Sequence, residues 1–125
     1  MDAFDETTVR NDGLAPLTLA IEPHGDVFWL DPGDSARVVA TGPSGGSLEV
    51  VRTEHRIEVY FWVGATGRVL DGETDELVQD FPIGFPDSVP SGMTIVEFVH
   101  LMNNHTAWHK APADRRISRT RQRSN

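Results

Sequence analysis

Arg56-Ile57-Glu58-Val59-Tyr60-Phe61-Trp62-Val63 alternates in a way that sets Ile57, Val59, Phe61 and Val63 on one side of an extended chain. Arg56, Glu58, Tyr60 and Trp62 fall on the other, because side chains of a pleated strand point to opposite faces in turn. The segment is rich in β-branched and aromatic residues, which predicts a strand near the middle of a sheet. Upstream, the same grammar repeats. Leu17-Thr18-Leu19-Ala20-Ile21-Glu22 alternates with period two, Pro23-His24-Gly25-Asp26 is a turn, and Val27-Phe28-Trp29-Leu30 is a short aromatic strand ending at Asp31-Pro32-Gly33-Asp34. That pair reads as a hairpin. Ala36-Arg37-Val38-Val39-Ala40-Thr41 and Ser47-Leu48-Glu49-Val50-Val51-Arg52 follow, separated by Gly42-Pro43-Ser44-Gly45-Gly46. Downstream, Arg68-Val69-Leu70 and a segment around Leu77-Val78 are flanked by the turns Gly64-Ala65-Thr66-Gly67 and Asp71-Gly72-Glu73.

Every apolar run is too short for a helix, and no helical pattern intervenes to carry a parallel crossover. The fold class expected is therefore mainly β, a small antiparallel β-sandwich or barrel. One C-terminal helix is predicted at about residues 95–105. Thr94-Ile95-Val96-Glu97 has the form of a capping box, and Met93 and Phe98 are spaced as a hydrophobic staple. A buried strand is the competing reading, since Thr94, Ile95, Val96 and Val99 are β-branched. Phe81-Pro82-Ile83-Gly84-Phe85-Pro86 is apolar but interrupted by two prolines, so it is expected to lie as a lid across an open end of the sheet. In domain terms the expectation is a flexible acidic leader over residues 1–13, a single β-rich domain over 14–109, and a disordered Arg-rich tail over 110–125.

The chain of 125 residues has a formal net charge of −8 that conceals two opposite parts. Residues 1–109 carry five arginines and no lysine against eighteen acids, a net of −13; residues 110–125 carry six basic groups against Asp114, a net of +5. An acidic body repels phosphates, so association with nucleic acid would fall to the tail. The absence of cysteine excludes a disulfide framework, a thiol nucleophile and thiolate-held metals. The acidic N-terminus is unlike a secretion signal and no stretch approaches the ~20 apolar residues of a membrane span. A cytoplasmic protein without membrane contact is the expectation.

Chemistry-bearing motifs are sparse. Gly42-Pro43-Ser44-Gly45-Gly46 matches the G-x-S-x-G string, but a serine nucleophile of that type needs a strand-to-helix elbow, and here a strand follows. Asp71-Gly72-Glu73-Thr74-Asp75-Glu76 opens like a calcium loop, yet Glu76 and Pro82 stand where glycine and glutamate are required, leaving a solvated hairpin tip as the better reading. His100, His105 and His109 cluster near the helix end and are the candidate metal ligands; histidines there also suit the helix dipole without a metal. Asp31-Pro32-Gly33-Asp34 with Pro43 and Gly45 resembles part of the second conserved motif of cupins, small β-barrels that hold a metal with histidines. The spacing departs by two, His55 is too far on and the first motif's His-x-His is absent, so no residue role carries over. The same Pro-Gly-Asp turn occurs in cupredoxins, whose copper thiolate this chain cannot supply.

The strongest leads are surfaces. Trp29, Tyr60 and Trp62 would form an outward aromatic patch if the second face of the sheet is open. Arg115, Arg116, Arg119, Arg121 and Arg123 could make forked contacts with phosphates, or with carboxylates on a partner or on the chain's own body. No nucleophile, base and orienting group occur at workable spacing, so the reading leans away from an enzyme and no cofactor is expected. What remains is a non-enzymatic binding or assembly module that contacts another protein chain through a sheet face or edge, its basic tail meeting an acidic partner. Self-association as a homo-oligomer is a further route. The alternatives are a small cupin-like β-barrel metal binder or enzyme using the histidine cluster, and nucleic-acid association through the tail.

Overall fold

The computed structural model describes residues 2–84, 94, 96–97 and 115–118. Eight strands follow in chain order: β1 (Asp2–Arg10), β2 (Leu17–Glu22), β3 (Asp26–Leu30), β4 (Ser35–Pro43), β5 (Glu49–Arg52), β6 (Arg56–Tyr60), β7 (Thr66–Asp71) and β8 (Leu77–Phe81). They form two four-stranded sheets, ordered β1-β4-β7-β8 and β3-β2-β6-β5. Side chains from both sheets meet in one buried cluster, among them Val38 and Val69 from the first and Leu19, Phe28 and Val59 from the second. Each such side chain contributes about 1.5–3 kcal/mol by leaving water.

The first sheet is antiparallel throughout. The second is mixed, and here the expectation of purely antiparallel pairing is corrected. β2 and β3 form the anticipated hairpin, with Leu19 opposite Phe28, whereas β2 lies parallel to β6, with Ile21 beside Val59. A parallel pair needs a long connection, but that connection need not be a helix. After β3 the chain crosses to the other sheet as β4 and returns as β5. β6 is interior as expected, although it ends at Tyr60 rather than Val63. Phe61 leaves the ladder but donates its N–H to the Glu22 carbonyl at 2.7 Å, and its ring stays in the core.

Three further expectations are corrected. Residues 2–10 are no frayed leader: all nine pair with β4, from Asp2 opposite Pro43 to Arg10 opposite Ser35. Val9 alone among them is buried, so the backbone ladder holds β1 where the side-chain pattern is nearly silent. Residues 115–118 of the supposedly disordered tail lie on the body, with Ile117 fully buried. In the lid segment Phe81 packs into the core as the end of β8, while Ile83 is 77% exposed; Phe85 and Pro86 lie outside the described residues. The capping box is formed reciprocally, Thr94 N–H donating to Glu97 Oε1 at 3.0 Å and Glu97 N–H to Thr94 Oγ1 at 3.1 Å. Thr94 holds the Glu97 carboxyl below its ordinary range, its backbone N–H first and its side-chain hydroxyl second. The rest of the predicted helix lies outside the described residues.

Candidate functional site

β3 is an edge strand, with β2 on one side, and its sequence is an aromatic core bracketed by Asp26 and Asp31. Both ends are set by turns. Gly25, at φ 84°, closes the hairpin by donating to the Ile21 carbonyl at 2.9 Å. At the other end the Asp34 carboxylate accepts from Asp31 N–H at 3.0 Å, and Gly33 takes φ 86°, a conformation costly for any residue with a Cβ. These turns fix where the two aspartate side chains project.

The outer edge of β3 is occupied by residues 115–118. Trp29 N–H donates to the Arg115 carbonyl at 2.8 Å and Ile117 N–H donates to the Trp29 carbonyl at 3.0 Å, a parallel bridge centred on Trp29 and Arg116. Ile117 joins the core cluster. The Arg115 guanidinium sits 4.3 Å from the Phe28 ring centroid and donates to Asp26 Oδ1 and Gln79 Oε1, both at 3.3 Å. Arg116 lies over the Trp29 ring at 5.5 Å and pairs with Asp31, whose other oxygen accepts from the Ser118 hydroxyl at 3.4 Å. Backbone bonds supply affinity in such an arrangement, and the side-chain pockets supply selectivity. Arginine suits the pockets because it can stack and fork at once.

The sequence-predicted site residues scatter. Trp29 is half-buried beneath Arg116. Tyr60 is 1% exposed, so the expected outward patch of Trp29, Tyr60 and Trp62 does not form. The second face of β6 is covered as well as the first: Glu22 and Glu58, on that same face, are each 4% exposed. Tyr60 donates its hydroxyl to Glu58 Oε1 at 3.0 Å, and Arg56 Nε donates to Oε2 at 3.1 Å. Burial first, then the Glu58 and Glu22 charges, push the Tyr60 phenol well above its ordinary range. Trp62 packs against the core from the rim and donates Nε1–H to the Pro43 carbonyl at 3.0 Å.

Arg115 and Arg116 come together with Asp26 and Asp31; Arg119, Arg121 and Arg123 lie outside the described residues, as do His100, His105 and His109. Among the described residues no three His, Cys, Asp or Glu side chains could hold a metal ion. His24 packs its ring against Phe61 and Phe81, at centroid distances of 5.2 and 4.9 Å, with Nε2 3.2 Å from the Ile83 carbonyl. Ser44 is exposed in a loop whose Gly45 has φ 88°. Asp71 is buried and accepts from Glu73 N–H at 2.8 Å, so the acidic run is organised as a hairpin turn. No described helix is long and apolar enough to cross a membrane.

Sequence reasoning missed Ile117, Asp26 and Asp31 as parts of this edge. A signal existed: Ile117 is the one large apolar residue of an otherwise polar tail, and two acids bracket the aromatic strand. No family model matches the chain, and neither a curated protein nor a solved structure matches it.

Proposed function

We propose that this chain is a non-enzymatic β-sandwich binding module that takes up an extended segment of another protein along the β3 edge. The sandwich reading is supported by the single cluster of buried side chains drawn from both sheets. The docking reading is carried by one observation: residues 115–118 already lie on β3 through two backbone bonds, a buried isoleucine and two arginine–aspartate pairs. That is β-strand addition, performed by the chain on itself. Arg119, Arg121 and Arg123 follow that segment and supply charge for an acidic partner surface. Nucleic acid is the less favoured partner, because Arg115 and Arg116 are spent on carboxylates of the body.

The chain has no cysteine, which allows a direct test. In a chain whose Ile117→Asp change frees the edge of its own segment, Asp31→Cys introduces one thiol, and a peptide of residues 113–120 with its serine replaced by cysteine supplies the other. The Ser118–Asp31 contact of 3.4 Å places the two sulfurs together if the peptide docks as the tail does. The expected result is a mixed disulfide formed in much higher yield than with Glu76→Cys, an exposed control. Equal yields would sink the reading.

A further inference from the structure

The segment on the β3 edge belongs to the chain whose edge it covers, and residues 85–114 connect it to the end of the described body. A ligand tethered to its own site competes at an effective concentration on the order of millimolar for short tethers, above that of most free partners. We propose that residues 115–118 are a built-in competitor for β3, and that a partner segment enters only by displacing them. This rests on the reading of β3 as a docking edge.

The slot itself defines the displacing segment. Asp26 opens β3 and Asp31 follows its last residue, so the carboxylates stand at the two ends of the strand, and each holds one of two successive arginines. The next side chain enters a site with no solvent contact, as Ile117 does. The partner is therefore an extended protein segment, parallel to β3, carrying two adjacent arginines followed by an aliphatic residue. Displacement is feasible because no single contact dominates. The side chains of both ion pairs are 28% to 34% exposed and so screened by water. A matching segment replaces each small contribution one for one, leaving only the tether to overcome.

The test titrates a fluorescent peptide of residues 113–120 into full-length chains. Arg116→Asp places like charge against Asp31, and Ile117→Asp puts a carboxylate into the buried site; each weakens the resident segment while leaving the β3 slot intact. Both variants are expected to bind the peptide at least about tenfold tighter than the unaltered chain, since apparent affinity falls by the fraction of open sites. Asp31→Arg, which breaks the slot, is expected to bind at least about tenfold weaker than Arg116→Asp, because the charge-assisted contact is lost. Equal affinity for the unaltered chain and both tail variants, with Asp31→Arg still abolishing binding, overturns the competition and leaves the docking edge standing. Saturable binding to none of the chains overturns both. Circular dichroism of each variant verifies that the sheets are retained.

Discussion

Tyr60 is the single tyrosine of the chain, and its hydroxyl is spent on a buried carboxylate. Two measurable consequences follow from that one bond. Tyr60→Phe removes this donor from Glu58 Oε1 in a site only 4% exposed, and losing a buried hydrogen bond to a charged group costs about 1.5–3 kcal/mol. Urea midpoints of the two proteins at neutral pH check it. The second consequence concerns alkali. The native phenol is held above its ordinary range while the unfolded phenol ionises at about pH 10. Above that pH the unfolded state sheds a proton that the native state keeps, so stability is complete below about pH 10 and falls as pH rises past it. Between about pH 9 and about pH 11 the unaltered chain is expected to lose urea resistance with a slope that Tyr60→Phe lacks, and phenolate absorbance is expected to appear only on unfolding. The residue's sequence position suggested an outward-facing platform. Alternation tells which residues share a face but not whether that face is covered, and here Glu22, Glu58 and Tyr60 share a covered one.

At the scale of elements, seven runs between Leu17 and Val78 were legible as strands because their apolar residues repeat with period two or sit between Gly/Pro/Asp turns. β1 was not, since only Val9 of its nine residues is buried and its ladder with β4 is made by the backbone, which leaves no pattern in the side chains. The parallel β2–β6 pair was illegible for a related reason: register between distant strands depends on where intervening strands are placed, and β4 lies in the other sheet. Gly67 shows a constraint that emerges only when the elements assemble. A Cβ there would stand 2.2 Å from the Val39 carbonyl oxygen and 2.7 Å from the Phe61 ring. Neither can retreat, one being backbone of the paired strand β4 and the other a buried side chain. Gly67→Ala is therefore expected to cost about 1–3 kcal/mol or more through overpacking, read as a lower urea midpoint with an unchanged m-value. A midpoint equal to that of the unaltered chain would show that the β4–β7–Phe61 packing is looser than described.

Over the whole molecule, charge couples the tail to the body. Residues 1–109 carry a net of −13 and repel themselves, and the tail's first two arginines sit on two of those acids. The contrast between halves was plain in the sequence, including the body's own carboxylates as one destination for the arginines. Which acids receive them was not, because Asp26 and Asp31 lie 89 and 85 residues upstream of their partners and become neighbours of Arg115 and Arg116 only through β3. Removing both charges with Arg115→Gln and Arg116→Gln should lower stability by about 1–2 kcal/mol at low salt, as befits two partly exposed ion pairs. The loss is bounded by what docking itself contributes, since a released tail leaves both sheets paired. Salt separates charge from packing. Screening shortens the Debye length from about 30 Å at 0.01 M to about 3 Å at 1 M, so the difference between the two proteins should shrink as salt rises. Ile117, without charge or solvent contact, should keep its amide protected from hydrogen exchange in the unaltered chain at high salt. If that protection vanishes with salt, the arginine–aspartate pairs alone hold the tail and the buried isoleucine adds nothing. If it survives, apolar burial anchors the segment and the arginines select which segment is admitted.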